Sequence, residues 1–163
     1  MKNNIFILNK VNERIISQLV NIHFSALNEF NFRNWSFQDF VDLINNGSSI
    51  FYYVLNNRIV GFSVVCFNED FTEIIIIAVD SNYQKKKIGQ NILNYIINYP
   101  YFKGCMILDV AITNTNAINF YKKFGFKKIG QRKNYYIIFE GDKAGQKIDA
   151  TVMQLQLNLA TFQ

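Results

Sequence analysis

A short basic turn follows one of the most apolar stretches of the chain. The run IIIIAV ends at Val79, three consecutive lysines occupy 85–87, and a helical pattern opens at Gly89. The first N–H groups of a helix lack carbonyl partners and carry the positive end of its dipole, so anions bind there. The sequence therefore predicts a phosphate-binding turn. A solvated basic loop is an equally good interpretation of this turn alone, and the P-loop pattern is absent.

A second candidate lies in the stretch NTNAINFYKKFGF, which begins at Asn114. Tyr121 lies in this stretch, which opens a helix after a buried strand. The same residue lies on the apolar face of the helix with Ala117, Ile118 and Phe124. Taken alone, the pattern favours an ordinary core tyrosine over a catalytic one.

The elements that must position these residues follow from hydrophobic periodicity and turn residues. Ser36 with Asp39 predicts a capping box that starts a helix ending at 46–48. Asn56, Asn57 and Arg58 predict a hairpin, and 140–149 a polar loop. The apolar run 74–79 predicts a strand in the middle of the sheet. Strands are expected at 5–8, 50–55, 59–67, 71–79, 105–112, 126–139 and 150–159, and further helices at 11–30, 89–99 and 114–124.

The resulting order, β-α-α-β-β-β-α-β-α-β-β, predicts an α+β fold with a mixed central β-sheet flanked by helices. Of the 163 residues, 50% are hydrophobic and 16% aromatic, which is enough for a packed core and argues against disorder. No apolar run approaches the roughly 18 to 20 residues that a membrane span needs. The N-terminal decapeptide lacks the features of a signal peptide. We expect one cytoplasmic domain over residues 1–163 and no membrane partner.

The cysteines, the histidine and the net charge indicate which metal sites and partners to expect. Cys66 and Cys105 lie in apolar runs, which predicts buried free thiols in a reducing compartment. His23 is the one histidine, so neither a metal site nor a metal cofactor is expected. The net charge of +5 favours an anionic partner, such as nucleic acid, the ribosome or a phosphorylated ligand, although a merely solvated basic surface has the same composition.

The two candidate stretches together resemble the GNAT superfamily of N-acetyltransferases. AVDSNYQKKKIGQNIL resembles the acetyl-CoA pyrophosphate loop, Gln/Arg-x-x-Gly-x-Gly/Ala, and LDVAITNTNAINFYKKFGF resembles the later Asn and Tyr-x-x-x-Gly-Phe hallmark. The bacterial ribosomal-protein N-terminal-alanine acetyltransferases are a closer match. NWSFQDF, LDV, RKNYY and DATVMQLQL are similar to their Pro-Trp-Ser-x-x-x-Phe, Leu-Glu-Val, Arg-Arg-Asn-Tyr-Tyr and Asp-Ala-x-x-Met-x-Leu segments.

The resemblance implies a GNAT-like domain that uses acetyl-CoA as co-substrate. A peptide α-amine would attack the thioester. Tyr121 corresponds to the acid that protonates the leaving thiolate, and Asp109 stands where the family has a basic Glu. Peptide-binding residues by resemblance are Trp35, Tyr135 and Tyr136, with core-edge packing as an equal alternative for Trp35. The cofactor-binding residues implied are Ile77, Ala78, Val79, Gln84, Lys85, Lys86, Lys87, Ile88, Gly89, Gln90 and Asn114, the last at the pantetheine or at the helix start.

Three residues depart from the family pattern. Lys87 replaces the first glycine of the loop, and a positive φ there would cost a lysine about 1–2 kcal/mol. Asp109 is one methylene shorter than Glu, which favours a relaying water; a purely structural strand-end Asp is the alternative. Ala111 replaces an Arg of the closer subfamily.

The fraction of an amine that is neutral indicates which acceptor of the acetyl group the site suits. Near pH 7.4 about a quarter of an α-amine is neutral, against about one part in a thousand of a lysine side chain. A site with a retracted base therefore suits a protein N-terminus, such as that of a ribosomal protein, and a basic surface suits contact with the ribosome. Two alternatives stay open: a GNAT enzyme that acts on a small-molecule amine, and a non-catalytic acyl-CoA-binding or RNA-associated module.

Overall fold

The elements follow the order expected from the sequence. The computed structural model describes residues 4–157. Two short 3₁₀ helices, Asn28–Phe30 and Ser81–Tyr83, accompany the helices and strands. The helices are α1 (Glu13–Leu27), α2 (Phe37–Asn45), α3 (Ile88–Ile97) and α4 (Thr115–Lys123); the strands are β1 (Ile5–Leu8), β2 (Ser49–Leu55), β3 (Arg58–Phe67), β4 (Thr72–Val79), β5 (Cys105–Ala111), β6 (Lys127–Ile137) and β7 (Lys147–Gln156).

The predicted α+β fold with a mixed sheet is confirmed. Boundaries differ at a few places. The last turn of the predicted helix 11–30 is a separate 3₁₀ turn, and β7 begins at Lys147 rather than at residue 150 because Lys147 pairs with Ile137 of β6. The polar loop is therefore shorter than predicted. Residues 158–159 of the predicted last strand lie outside the described residues.

The strands are ordered β1-β2-β3-β4-β5-β7-β6. β4 is the middle strand, as the apolar run 74–79 predicted. Its parallel ladder with β5 joins Thr72–Ile74 to Met106–Leu108, and the ladders β1–β2, β2–β3, β5–β7 and β6–β7 are antiparallel. The described part of the chain forms two compact units: residues 4–30, 34–66 and 75–100, and residues 31–33, 67–74 and 101–157. The single domain over 1–163 stays a prediction.

The first unit has its own core between α1, α2 and the strands. The capping box at α2 is confirmed: Asp39 N–H donates to the Ser36 hydroxyl at 3.3 Å, and Ser36 N–H donates to the Asp39 carboxylate at 2.6 Å. Asn56 and Asn57 have φ of 50° and 61°, the positive values that a two-residue hairpin turn requires at both positions. The buried core includes Leu8, Ile16, Leu19, Ile22, Phe40, Ile44, Ile50, Phe62, Val64 and Ala78.

The second unit is built on β5, β7 and β6. Met106, Leu108, Met153 and Leu155 are buried along the β5–β7 pair. Gly125, with a φ of 91°, ends α4 in the left-handed conformation that favours glycine. The short segment 31–33 belongs to this unit, since Phe32 forms a bridge with Ile138 and Phe139 N–H donates to the Asn31 carbonyl at 2.7 Å.

The cysteines correct one expectation. Among the described residues, neither Cys66 nor Cys105 forms a disulfide, as expected, but both are half-buried rather than buried. Cys105 is the first residue of β5, where the strand leaves the core, and the Gln154 amide donates to its sulfur at 3.1 Å. His23 is buried in α1 and stacks on Trp35, with ring centroids 5.0 Å apart. Within residues 4–157, no group of three or more His, Cys, Asp or Glu residues is placed to hold a metal ion, and no helix is long and apolar enough to cross a membrane.

Candidate functional site

Hydrogen bonds hold the basic turn of the first unit where it leaves β4. Asp80 N–H donates to the Val60 carbonyl at 3.0 Å, and the Asp80 carboxylate accepts Asn82 N–H at 2.9 Å. The Gln84 side-chain amide donates to the Val79 carbonyl at 3.2 Å. These bonds tie the turn to the end of β4, so its backbone conformation is set before any ligand binds.

Two lysines of this turn adopt the left-handed conformation. Lys85 has a φ of 60°, and Lys87, the residue that precedes α3, has a φ of 62° and a ψ of 11°. A left-handed residue with a Cβ costs roughly 1–2 kcal/mol. Lys87 stands at the position of the first glycine in the loop motif. It has the positive φ that glycine adopts readily, although it is a lysine.

The start of α3 presents unpaired donors. Its first backbone hydrogen bond runs from Asn91 N–H to the Lys87 carbonyl at 2.9 Å, so the N–H groups of Ile88, Gly89 and Gln90 have no partner within the helix. The Ile88 side chain is buried and anchors this end. Lys85, Lys86 and Lys87 are exposed, and Lys86 Nζ lies 4.8 Å from the centre of the Tyr83 ring and donates to the Asn82 carbonyl at 3.2 Å. The arrangement is an anion site made mostly of backbone.

Gly61 is a residue of this region that the motif search missed. A Cβ at Gly61 would lie 3.0 Å from Ile88 Cγ2, 3.2 Å from the Ala78 carbonyl oxygen and 3.3 Å from Val79 Cγ2. β3 thus passes very close to the end of β4 and the first residue of α3. A glycine inside a strand pattern signals such a close approach, and that signal was present in the sequence.

Helix α1 also contacts the turn. The Ser25 and Ser81 hydroxyls are 2.8 Å apart, and Ser81 N–H donates to the Ser25 hydroxyl at 3.0 Å. This contact spans 56 positions of the chain, and two serines so far apart carry no pattern that would have revealed it. It holds the beginning of the turn against the helix.

In the second unit, Tyr121 is buried on the inner face of α4. Its ring packs edge-on against Phe120, with centroids 5.2 Å apart, and makes a tilted contact with Phe126, with centroids 5.4 Å apart. Burial, and then the nearby Tyr136, raise the pKa of Tyr121 above its usual range. The phenol therefore stays protonated at neutral pH, which is the form that a proton donor needs.

Asp109 lies near the end of β5 and is paired rather than isolated. Arg132 Nε lies 3.1 Å from each of its two carboxylate oxygens. The Tyr136 hydroxyl donates to the Asp109 backbone carbonyl at 3.2 Å. Asp109, with its hydrogen bond, raises the pKa of Arg132 above its usual value. The sequence reasoning missed Arg132, which stands in RKNYY beside two predicted site residues.

The remaining predicted residues divide between the two units. Asn114 caps α4, its side-chain oxygen accepting Ala117 N–H at 3.0 Å, so of its two expected roles the helix start is the one observed. Trp35, in the first unit, packs edge-on against Phe40 and stacks on His23, as the core-edge alternative predicted. Tyr135 and Tyr136, in the second unit, are in T-shaped contact at 5.0 Å. Burial, followed by Asp109, raises the pKa of Tyr135.

Comparison with known proteins agrees with this geometry. The profile of the Acetyltransferase (GNAT) family matches residues 15–126. The [ribosomal protein bS18]-alanine N-acetyltransferase of Escherichia coli strain K12 is 28% identical over 129 residues, which is 77% of this chain and 82% of that protein.

Two solved structures share the fold. The crystal structure of the ribosomal-protein-S18-alanine N-acetyltransferase from Escherichia coli superposes with a TM-score of 0.79 at 23% identity, covering 97% of each chain. YncA of Salmonella typhimurium, whose structure contains its cofactor acetyl-CoA, has a TM-score of 0.72 at 19% identity and covers 96% of this chain and 95% of its own. At these identities the likeness establishes the fold alone.

Proposed function

Because this chain belongs to the GNAT acetyltransferase family, we propose that it acetylates the N-terminal α-amine of a protein, with acetyl-CoA as donor. The observation that carries the proposal is the match to the bS18-alanine N-acetyltransferase of Escherichia coli, which extends over 82% of that relative. The RKNYY segment, which contributes Arg132, Tyr135 and Tyr136 around Asp109, lies in the same unit as Tyr121.

The turn of the first unit fits the pyrophosphate of acetyl-CoA. It combines the N–H groups of Ile88, Gly89 and Gln90, which lack partners within the helix, with the exposed cations Lys85 and Lys87 nearby, and backbone N–H groups at a helix start bind phosphate. Acetyl-CoA supplies an activated thioester. Gln84 and Lys86 are proposed to hold the shape of the turn. Backbone groups of Ile77, Ala78 and Val79, past the three β4 residues that pair with β5, are proposed to bind pantetheine. Asn114, in the second unit, stays a separate cofactor-binding candidate by resemblance.

Tyr121 and Asp109 are proposed as the proton-transfer pair. Tyr121, which burial keeps protonated, donates its proton to the leaving thiolate. Asp109 receives the proton of the attacking amine through a water, since its carboxylate is one methylene shorter than that of Glu and is held by Arg132. General acid or base catalysis of this kind contributes roughly 10² to 10⁴ in rate.

An α-amine is the acceptor that this base suits. Its pKa of about 7.7–8.0 leaves a substantial neutral fraction at neutral pH, whereas a lysine side chain is almost wholly charged. Tyr135 and Tyr136, with Trp35 as a further candidate, are proposed to contact the peptide. A net charge of +5 favours encounter with an anionic particle such as the ribosome, so we place the reaction in the cytoplasm, on a ribosomal or other nascent protein.

A panel of acceptors tests the proposal. Release of CoA from acetyl-CoA would be followed with synthetic peptides that begin with Ala or Ser, with the same peptides blocked at the N-terminus, and with spermidine and an aminoglycoside as small-molecule amines. Turnover of the unblocked peptides alone is expected. Turnover of a small-molecule amine without peptide turnover would overturn the acceptor assignment.

Thermal unfolding tests the cofactor separately. Acetyl-CoA at 100 times its Kd should stabilise the fold by about 2.7 kcal/mol, which raises the Tm of a chain of this size by about 5–11 °C. An unchanged Tm at millimolar acetyl-CoA would contradict binding in the turn 84–89.

A further inference from the structure

The Asp109 carboxylate is held by a single exposed cation. Arg132 Nε is 3.1 Å from both carboxylate oxygens, so one N–H group is shared between them. The Arg132 side chain is 54% exposed and the Asp109 side chain 11% exposed. The carboxylate is therefore largely shielded from water, while the group that holds it lies at the surface.

Strand register explains why two residues so far apart in the chain meet. Asp109 pairs with Val152 of β7, and Arg132 pairs with Ala150 of β7. Residues 150 and 152 point to the same face of the sheet, and directly paired residues share a face. Asp109 and Arg132 thus project from one face, two strands apart, and the small side chain of Ala150 leaves room for the arginine to cross β7.

Other side chains restrain the same group. The Arg132 guanidinium lies over the Tyr135 ring, 5.4 Å from its centre, and Glu73 adds a further favourable charge interaction with it. The Tyr136 hydroxyl donates to the Asp109 backbone carbonyl at 3.2 Å. Neighbouring side chains therefore hold both the carboxylate and the backbone of Asp109. An incidental surface ion pair would contact the carboxylate alone.

We infer that Arg132 is a positioning residue for acetyl transfer, which orients the Asp109 carboxylate toward the acceptor side of the reaction. The inference rests on the proposed function, because it serves the same proton transfer. A short carboxylate that acts through a water depends strongly on its orientation, since a misplacement of about 1 Å can lower a rate by roughly 10²-fold. Arg132 acts through Asp109 and does not itself exchange the proton.

A merely structural ion pair predicts a different outcome. Because the Arg132 end of the pair is exposed, water can replace the guanidinium beside Asp109, so loss of Arg132 should change the stability of the fold only slightly under either account. Only a positioning role lowers kcat while the KM for acetyl-CoA is preserved. The replacement Arg132→Lys separates the accounts further, because lysine keeps the charge but lacks the rigid Nε–H group that the two carboxylate oxygens share.

The experiment compares R132Q, R132K and the control K127Q, which removes an equal charge from the exposed start of the same strand. With acetyl-CoA and an Ala-starting peptide, we expect R132Q to lower kcat by about 10-fold or more. The KM for acetyl-CoA should stay within about 2-fold and the Tm within about 2–4 °C. R132K should recover part of kcat, and K127Q should match the parent. Parent-like or raised kcat in R132Q would overturn the inference.

A second readout keeps this outcome distinct from failure of the proposed function. NMR of the arginine Nε–H groups, with the Arg132 signal assigned by its loss in R132K, should show that signal displaced in Asp109→Asn. An undisplaced signal would mean that the pair does not form in solution and would overturn the inference whatever the activity. A parent without turnover on any acceptor would overturn the proposed function instead.

Discussion

The turn 80–90 in the first unit and the cluster around Asp109 in the second unit differ in the chemical groups that they present. The turn presents backbone N–H groups, and the glycine position of its motif is occupied by Lys87 in the conformation that glycine would have. The cluster works through named side-chain atoms: Arg132 Nε on a carboxylate, and a tyrosine hydroxyl on a carbonyl. Backbone sites tolerate a change of side chain, whereas a catalytic side chain is sensitive to one methylene group.

This difference predicts that substitutions of one or a few side-chain atoms lower kcat most when they are made in the second unit. Tyr121→Phe should lower kcat by about 10² or more, because the variant lacks the hydroxyl that we propose as the proton donor. Acetyl-CoA affinity and Tm should change little, since phenylalanine keeps the packing against Phe120 and Phe126 and an interaction made only late in the reaction does not affect ground-state binding. Steady-state kinetics with parallel melting curves would decide, and a parent-like kcat would make Tyr121 a core residue.

Asp109→Asn should have the next largest effect. We expect kcat to fall on the order of 10-fold to 10²-fold near pH 7, because the variant lacks the carboxylate that we propose as the proton acceptor. Above pH 8 the α-amine, with a pKa of about 7.7–8.0, is increasingly neutral without help, so the ratio of parent to variant rate should shrink as the pH rises. A pH–rate profile of both proteins measures this ratio. A ratio constant from pH 6.5 to 9 would indicate a structural role.

In the first unit, we expect acetyl-CoA binding to weaken when a substitution displaces the backbone of the turn. Gly61→Ala places a Cβ 3.2 Å from the Ala78 carbonyl and 3.0 Å from Ile88 Cγ2. Overpacking of this kind costs roughly 1–3 kcal/mol, and we expect weaker acetyl-CoA binding because the end of β4 and the start of α3 must shift. Gly130→Ala is the matched strand control, since its Cβ would meet only Val152 atoms at 3.8 Å. Denaturant unfolding and calorimetric titration of both variants provide the test, and equal results would contradict the close approach.

The smallest effect is expected where a side chain of the turn changes. Lys87→Gly should bind acetyl-CoA equally well or more tightly and should alter stability by no more than about 1 kcal/mol, because glycine removes the left-handed strain but adds freedom to the unfolded chain. Lys87→Ala is the control, which removes the charge and keeps the Cβ. A large loss of affinity in both variants would show that the lysine side chain is itself a phosphate ligand.

Features that depend on neighbouring residues were predicted from the sequence, whereas contacts between distant parts of the chain were not. The capping box at Ser36, the Asn56–Asn57 hairpin and the Asn114 cap depend on residues within a few positions, and all three are present. The ion pair of Asp109 with Arg132 depends on the register of three strands, which a single sequence does not define. The Ser25–Ser81 contact is equally non-local. Gly61 is the case in which a local signal existed and was not used.

The site of acetylation on a peptide tests the central claim most directly. A synthetic peptide that begins with Ala and carries one internal lysine would be incubated with acetyl-CoA and the protein, and tandem mass spectrometry would locate the acetyl group. Transfer to the α-amine, with the lysine unmodified, is the predicted result. Acetylation of the lysine alone, or an unmodified peptide after CoA has been released, would contradict the assignment of this chain as an N-terminal acetyltransferase.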